Sequence, residues 1–74
     1  MTASTSPPAP DPAPDDNPKR YVGLGTDEAE RQALRRGWST VRTVPPGAIL
    51  TMEYRAGRLN LEVEDDTVRR AWSG

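Results

Sequence analysis

Residues 47–60 read G-A-I-L-T-M-E-Y-R-A-G-R-L-N, and what they form decides the fold of the whole chain. They lie between a strand predicted to end near Val44 and another predicted to begin near Arg58. Hairpin connections take about 2–5 residues, so this stretch is too long for a simple turn. Ile49, Leu50, Met52 and Tyr54 are large side chains in a segment with little opportunity to bury them all. A long connection with large side chains, held between rigid elements, suits recognition. Thr51, Glu53 and Arg55 alternate with Met52 and Tyr54, a pattern that also fits a half-buried strand. Pro45-Pro46-Gly47 ends the first strand and fixes the angle of entry, which favours a loop.

Downstream, Leu59, Leu61 and Val63 alternate with Asn60, Glu62 and Glu64, predicting a strand with one buried and one wet face. Glu64-Asp65-Asp66-Thr67 reads as a turn into a last strand from about Val68 to Trp72. The carboxylates of that turn lack the ligand spacing of a calcium loop. Upstream, residues 40–44 are β-branched at four of five positions and predict a strand. Trp38 is a core anchor, and Gly37 a left-handed helix end. The helix itself starts at Gly25-Thr26-Asp27-Glu28, with Thr26 as the cap and the carboxylates at the positive helix end. Ala29, Ala33 and Leu34 form its apolar stripe, and Arg35 and Arg36 suit its negative end better than a phosphate site. Tyr21-Val22-Gly23-Leu24 is an extended lead-in that covers one end of the core.

These elements predict an α+β domain over residues 21–74: one helix packed on a small twisted mixed β-sheet, with a long exposed loop. The strands flanking the loop run parallel if it crosses over and antiparallel if it turns back. Six of the eight prolines stand at positions 7, 8, 10, 12, 14 and 18, and no large apolar residue follows Met1 before Tyr21. Such a stretch buries too little surface to offset its ordering entropy, so residues 1–20 are expected to be a disordered proline-rich tail. No P-x-x-P with a flanking arginine anchor makes it a proline-rich ligand.

The chain has 74 residues with no cysteine and no histidine, which removes disulfides, thiolate metal sites and the commonest general base. No catalytic residue, cofactor or metal ligand is assigned. A serine or threonine nucleophile lacks a partnered base, which argues against an enzyme. Beyond residue 20 the eight arginines balance eight acidic residues, so nucleic-acid binding lacks an electrostatic footprint. No signal-peptide pattern or membrane-spanning run appears, which makes a monomer in the cytoplasm, away from membranes, the default expectation.

The stretch V-x-x-V-P-P-G-A-I-L-T-M-E-Y-R-A-G-R-L resembles the reactive loop of the potato inhibitor I family of serine peptidase inhibitors. Thr51–Arg55 resembles that of its cereal chymotrypsin inhibitor, and R-L-N-L-E-V-E-D with the terminal glycine resembles its bacterial branch. The resemblance implies a wedge-shaped domain whose loop residues Leu50, Thr51, Met52, Glu53, Tyr54 and Arg55 enter a serine protease as a substrate would. Met52–Glu53 would be the reactive bond, with Met52 in a deep apolar pocket of a subtilisin-like or chymotrypsin-like protease. Loop support would come from Arg58, with Thr51 and Glu53 as its acceptors, and Arg55 would assist. Two departures stand out: Asn60 occupies a position where plant members carry a second supporting arginine, and Ser73 one where bacterial members carry a cysteine. A non-inhibitory interaction module of the same fold is the alternative function.

Overall fold

The structure, a computed structural model, describes residues 14–48 and 55–74. The part of the expected tail before residue 14 and loop residues 49–54 lie outside the described residues. The elements are a 3₁₀ turn at Pro18–Tyr21, helix α1 at Thr26–Arg35, and strands β1 (Thr40–Val44), β2 (Arg58–Glu64) and β3 (Thr67–Ser73). The strands form one sheet in the order β1-β2-β3, with β1 and β2 parallel and β2 and β3 antiparallel. One helix on a three-stranded mixed sheet is the α+β architecture expected, and the parallel pair resolves the open alternative in favour of a crossover.

One face of the sheet meets α1 in a core of Tyr21, Ala29, Ala33, Trp38, Leu59, Leu61 and Val68, with Leu24, Val41, Val63 and Ala71 packed around it. Ala29 and Ala33 lie one helical turn apart, so α1 turns only its two smallest apolar residues to the sheet and can approach it closely. Leu34 is 52% exposed, which removes it from the predicted stripe. It sits about 100° around the helix from Ala33, whereas Trp38, arriving after the helix end, is buried in the core. Thr26 is the first residue of the helix, not its cap: Gly25 takes the cap position without a side-chain bond. The Thr26 hydroxyl is buried without a partner among the described residues.

The β2–β3 hairpin turns at Asp65 and Asp66, whose φ values are 54° and 59°. Two successive left-handed residues in a two-residue loop are the type I′ solution, which matches the right-handed twist of the strands. A bulge between Glu62 and Val63 shifts the register of that hairpin.

Within the stretch expected as tail, Asp16 bonds to residues of the core. Asp16 accepts a bond from the Tyr21 hydroxyl, one of 2.9 Å from Trp38 Nε1 and one of 2.8 Å from Arg20 Nη1. Its side chain is only 4% exposed. Burial pushes its carboxyl up, but the bonds from Tyr21, Trp38 and Arg20, with the Arg20 charge, outweigh that and bring it down to about 2. Burial, the bond to Asp16 and its negative charge push the Tyr21 hydroxyl up to about 12. Asn17 caps the 3₁₀ turn by accepting from the Lys19 N–H at 3.0 Å. Low local hydrophobicity suggested a tail here; hydrogen bonds to Tyr21 and Trp38 order it instead.

Candidate functional site

Parallel pairing sets the geometry of the long connection. Thr40 is level with Arg58 and Val44 with Glu62, so the chain leaves β1 at one end of the pair and enters β2 at the other. At about 3.3 Å per residue the return needs roughly 13 Å, whereas residues 45–57 can reach about 43 Å. Parallel strands take a crossover of about a dozen residues or more, and residues 45–57 supply that length.

Both ends of it are set by tight turns. Ala48 N–H donates to the Pro45 carbonyl at 3.2 Å, with Pro46 at the first central position and Gly47 at φ 74° at the second. Arg58 N–H donates to the Arg55 carbonyl at 3.2 Å, with Ala56 and Gly57 at φ 80° between them. Positive φ at the second central residue is the mark of a type II turn and explains glycine at both places. The first turn was legible in Pro45-Pro46-Gly47, and the second repeats its logic at the exit.

The exit turn is clamped from three directions. Gly74 O accepts Arg58 Nε at 2.9 Å and Arg55 N–H at 3.2 Å, while Gly74 N–H donates to the Arg58 carbonyl at 3.0 Å. The Gly57 carbonyl accepts Ser39 N–H at 2.9 Å, which ties the same turn to the start of β1. Arg58 is 5% exposed. A guanidinium at this depth is held in a single orientation, because leaving its bonds would leave a buried charge unsatisfied.

Beside the clamp, the face of β2 predicted to be wet is closed at its start. Asn60 is 0% exposed, and its amide is bonded on both sides. Oδ1 accepts Arg42 Nε at 2.9 Å, and Nδ2 donates to the Trp72 carbonyl at 3.3 Å. Arg42, Asn60 and Trp72 are register partners across β1, β2 and β3, which puts the three side by side on one face of the sheet. Farther along, Arg70 lies over the Trp72 ring at 5.3 Å and approaches Glu62 at 3.6 Å. Val44, Gly47, Ala48, Glu62, Arg70 and Trp72 line a groove beside the entry turn.

Of the residues singled out in sequence, Arg55, Arg58 and Asn60 come together at the exit of the connection. Leu50, Thr51, Met52, Glu53 and Tyr54 lie outside the described residues. Sequence reasoning passed over Arg42, Trp72 and Gly74. The first two follow from Asn60 once the strand register is known; Gly74 carries no local signal beyond its type.

The described residues thus fix both ends of the connection, one of them with a buried arginine. Residues 18–70 match a family of peptidase inhibitors. The family is the peptidase inhibitor I78 family, and the chain belongs to it. No match was found among curated proteins. The potato inhibitor I assignment is thereby corrected: that resemblance, carried by the loop and its flanks and extended over about residues 21–74, named a different peptidase inhibitor family from the one matched over residues 18–70. Membership gives the chain a peptidase as its class of partner and argues for a non-enzymatic role. No helix among the described residues is long and apolar enough to cross a membrane.

Proposed function

We propose that the protein inhibits subtilisin-like or chymotrypsin-like serine proteases by presenting Leu50–Arg55 as a substrate-like segment, with Met52–Glu53 as the reactive bond. The observation that carries this is the pair of fixed turns at the ends of the connection, one of them clamped by buried Arg58 and Gly74. A free peptide must be ordered on binding, and its cleavage products then separate. A segment already held at both ends avoids much of that ordering cost and keeps the cut ends near each other. Membership in a peptidase inhibitor family supports the same function. Met52 is the residue for the specificity pocket because an unbranched apolar side chain fills a deep apolar slot. Asn60 braces through the Arg42 and Trp72 bonds.

The test is titration of subtilisin and chymotrypsin activity with the protein, while mass spectrometry follows the Met52–Glu53 bond. Stoichiometric inhibition with slow cleavage at that bond is the expected result. Cleavage at a different bond would refute the assignment of Met52, and an absence of both inhibition and cleavage would refute the protease class. Met52→Lys should weaken inhibition of both enzymes and improve it toward trypsin-like proteases, whose pocket takes a cation.

A further inference from the structure

We propose that Arg42 is a positioning residue for inhibition: acting through Asn60, it ties the strand that feeds the loop to the clamp that receives it. This rests on the protein being an inhibitor of the kind described.

Asn60 is fully buried in the middle strand, and an asparagine amide there must have both its ends satisfied. Arg42 satisfies the oxygen from β1, and the Trp72 carbonyl satisfies the nitrogen from β3. The Trp72 carbonyl lies two residues from Gly74, whose backbone holds Arg55 and Arg58 in the exit turn. A connected path therefore runs from Arg42 to Asn60, Trp72 and Gly74, and from there to Arg55 and Arg58. Its first member lies two residues before Val44, where β1 ends and the entry turn begins.

The chemistry of each partner fits this role. Arg42 Nε makes a charge-assisted bond, stronger than a neutral one and directed by a planar group. Asn60 is a donor at one end and an acceptor at the other, so fixing its oxygen fixes which way its nitrogen points. Without Arg42 the amide can rotate, and the hold on the Trp72 carbonyl loosens with it. Arg42 is not a member of the core cluster, so its loss should be felt along this path more than in the packing against α1.

Amide hydrogen exchange and protease challenge, run on Arg42→Ala in the full chain, test this together. In the variant, the amides of Arg55 and Gly74, bonded to the carbonyls of Gly74 and Arg58, should exchange about tenfold faster or more. The Val68 amide, bonded to Leu24 in the core, should not change. Hydrolysis of the protein by subtilisin should accelerate by about the same factor at an unchanged folded fraction. Uniform acceleration of all amides, or none at Arg55 and Gly74, would overturn the role of Arg42. If the alanine variant does not fold, Arg42→Lys carries the same test, since it keeps stem and charge but displaces the donor. A wild-type protein that inhibits neither protease would refute the inhibitor reading, while the exchange data would still judge the path from Arg42. A wild type that inhibits, with an Arg42→Ala variant equally resistant to cleavage, would refute the positioning role alone.

Discussion

Replacing Asp16 with asparagine keeps the shape of the side chain and removes its charge from a nearly closed site. In the folded protein the carboxyl titrates at about 2 instead of its ordinary 3.8. At ~1.4 kcal/mol per pKa unit, that difference is on the order of 2 kcal/mol of stability near neutral pH. The sign follows from the direction: a carboxyl held low favours the folded state above its unfolded pKa, and the contribution fades as pH falls through the folded value. It should be complete above about pH 5, roughly halved at pH 3 and largely lost at pH 2. The substituted amide can still accept from Tyr21 and Trp38 through its oxygen, but it faces Arg20 without a charge. Asp16→Asn should therefore be about 2 kcal/mol less stable at pH 7, a fall of roughly 10–15 °C in Tm for a domain this small. Urea denaturation followed by far-ultraviolet circular dichroism, at pH 7, 3 and 2, measures the gap. A gap below about 0.5 kcal/mol at pH 7 would refute the reasoning. So would a gap that stays as large at pH 2. Asp16→Ala should cost more than Asp16→Asn, because it strands the Tyr21 hydroxyl and the Trp38 indole N–H, at about 1–3 kcal/mol for each group left buried without a partner.

Arg58→Ala should leave the fold intact but convert the protein from inhibitor to substrate, seen as rapid loss of intact mass in excess subtilisin; unchanged resistance would rule out Arg58 as the brace. Thr26→Val removes a hydroxyl without a partner and should leave stability within about 0.5 kcal/mol or raise it, whereas a true cap would cost about 1 kcal/mol in the same thermal melt. Asp65→Asn with Asp66→Gly gives the turn the pair that type I′ geometry favours and should add about 0.5–1 kcal/mol. A loss of stability in that double variant would mean the aspartates make contacts that matter more than their backbone conformation.

The sheet was legible because its signals are local. Thr40–Val44 is marked by β-branched residues, β2 by strict alternation, and the hairpin by a run of turn residues. The crossover was not legible, since parallel and antiparallel pairing bury the same alternating residues of β2. Asn60 was misread for a related reason. Polar residues alternating with leucines indicate a wet face only when nothing covers it, and here Arg42 and Trp72 do so from positions 18 and 12 residues away in sequence. Asp16 was missed because its partner Trp38 lies 22 residues on, and no property of P-D-D-N-P reveals that bond. The resemblance named a different peptidase inhibitor family from the one matched, because the motifs that carried it lie in one loop and its flanks and fix the family of a whole domain poorly.

The parallel pairing of β1 and β2 also divides the molecule in an unusual place. Everything before the connection contributes Tyr21, Ala29, Ala33 and Trp38 to the core, and everything after it contributes Leu59, Leu61 and Val68. Neither part has an apolar interior of its own. Severing the chain between residues 48 and 55 therefore yields two peptides that complete each other, joined by a strand ladder, the Asp66 carbonyl bonded to Thr26 N–H, and a shared core. Expressed separately, they should reassemble as a split protein, and a circular permutant opened at that point should keep the same interior. The covalent bond across the connection then matters for what the segment presents, and much less for keeping the domain whole.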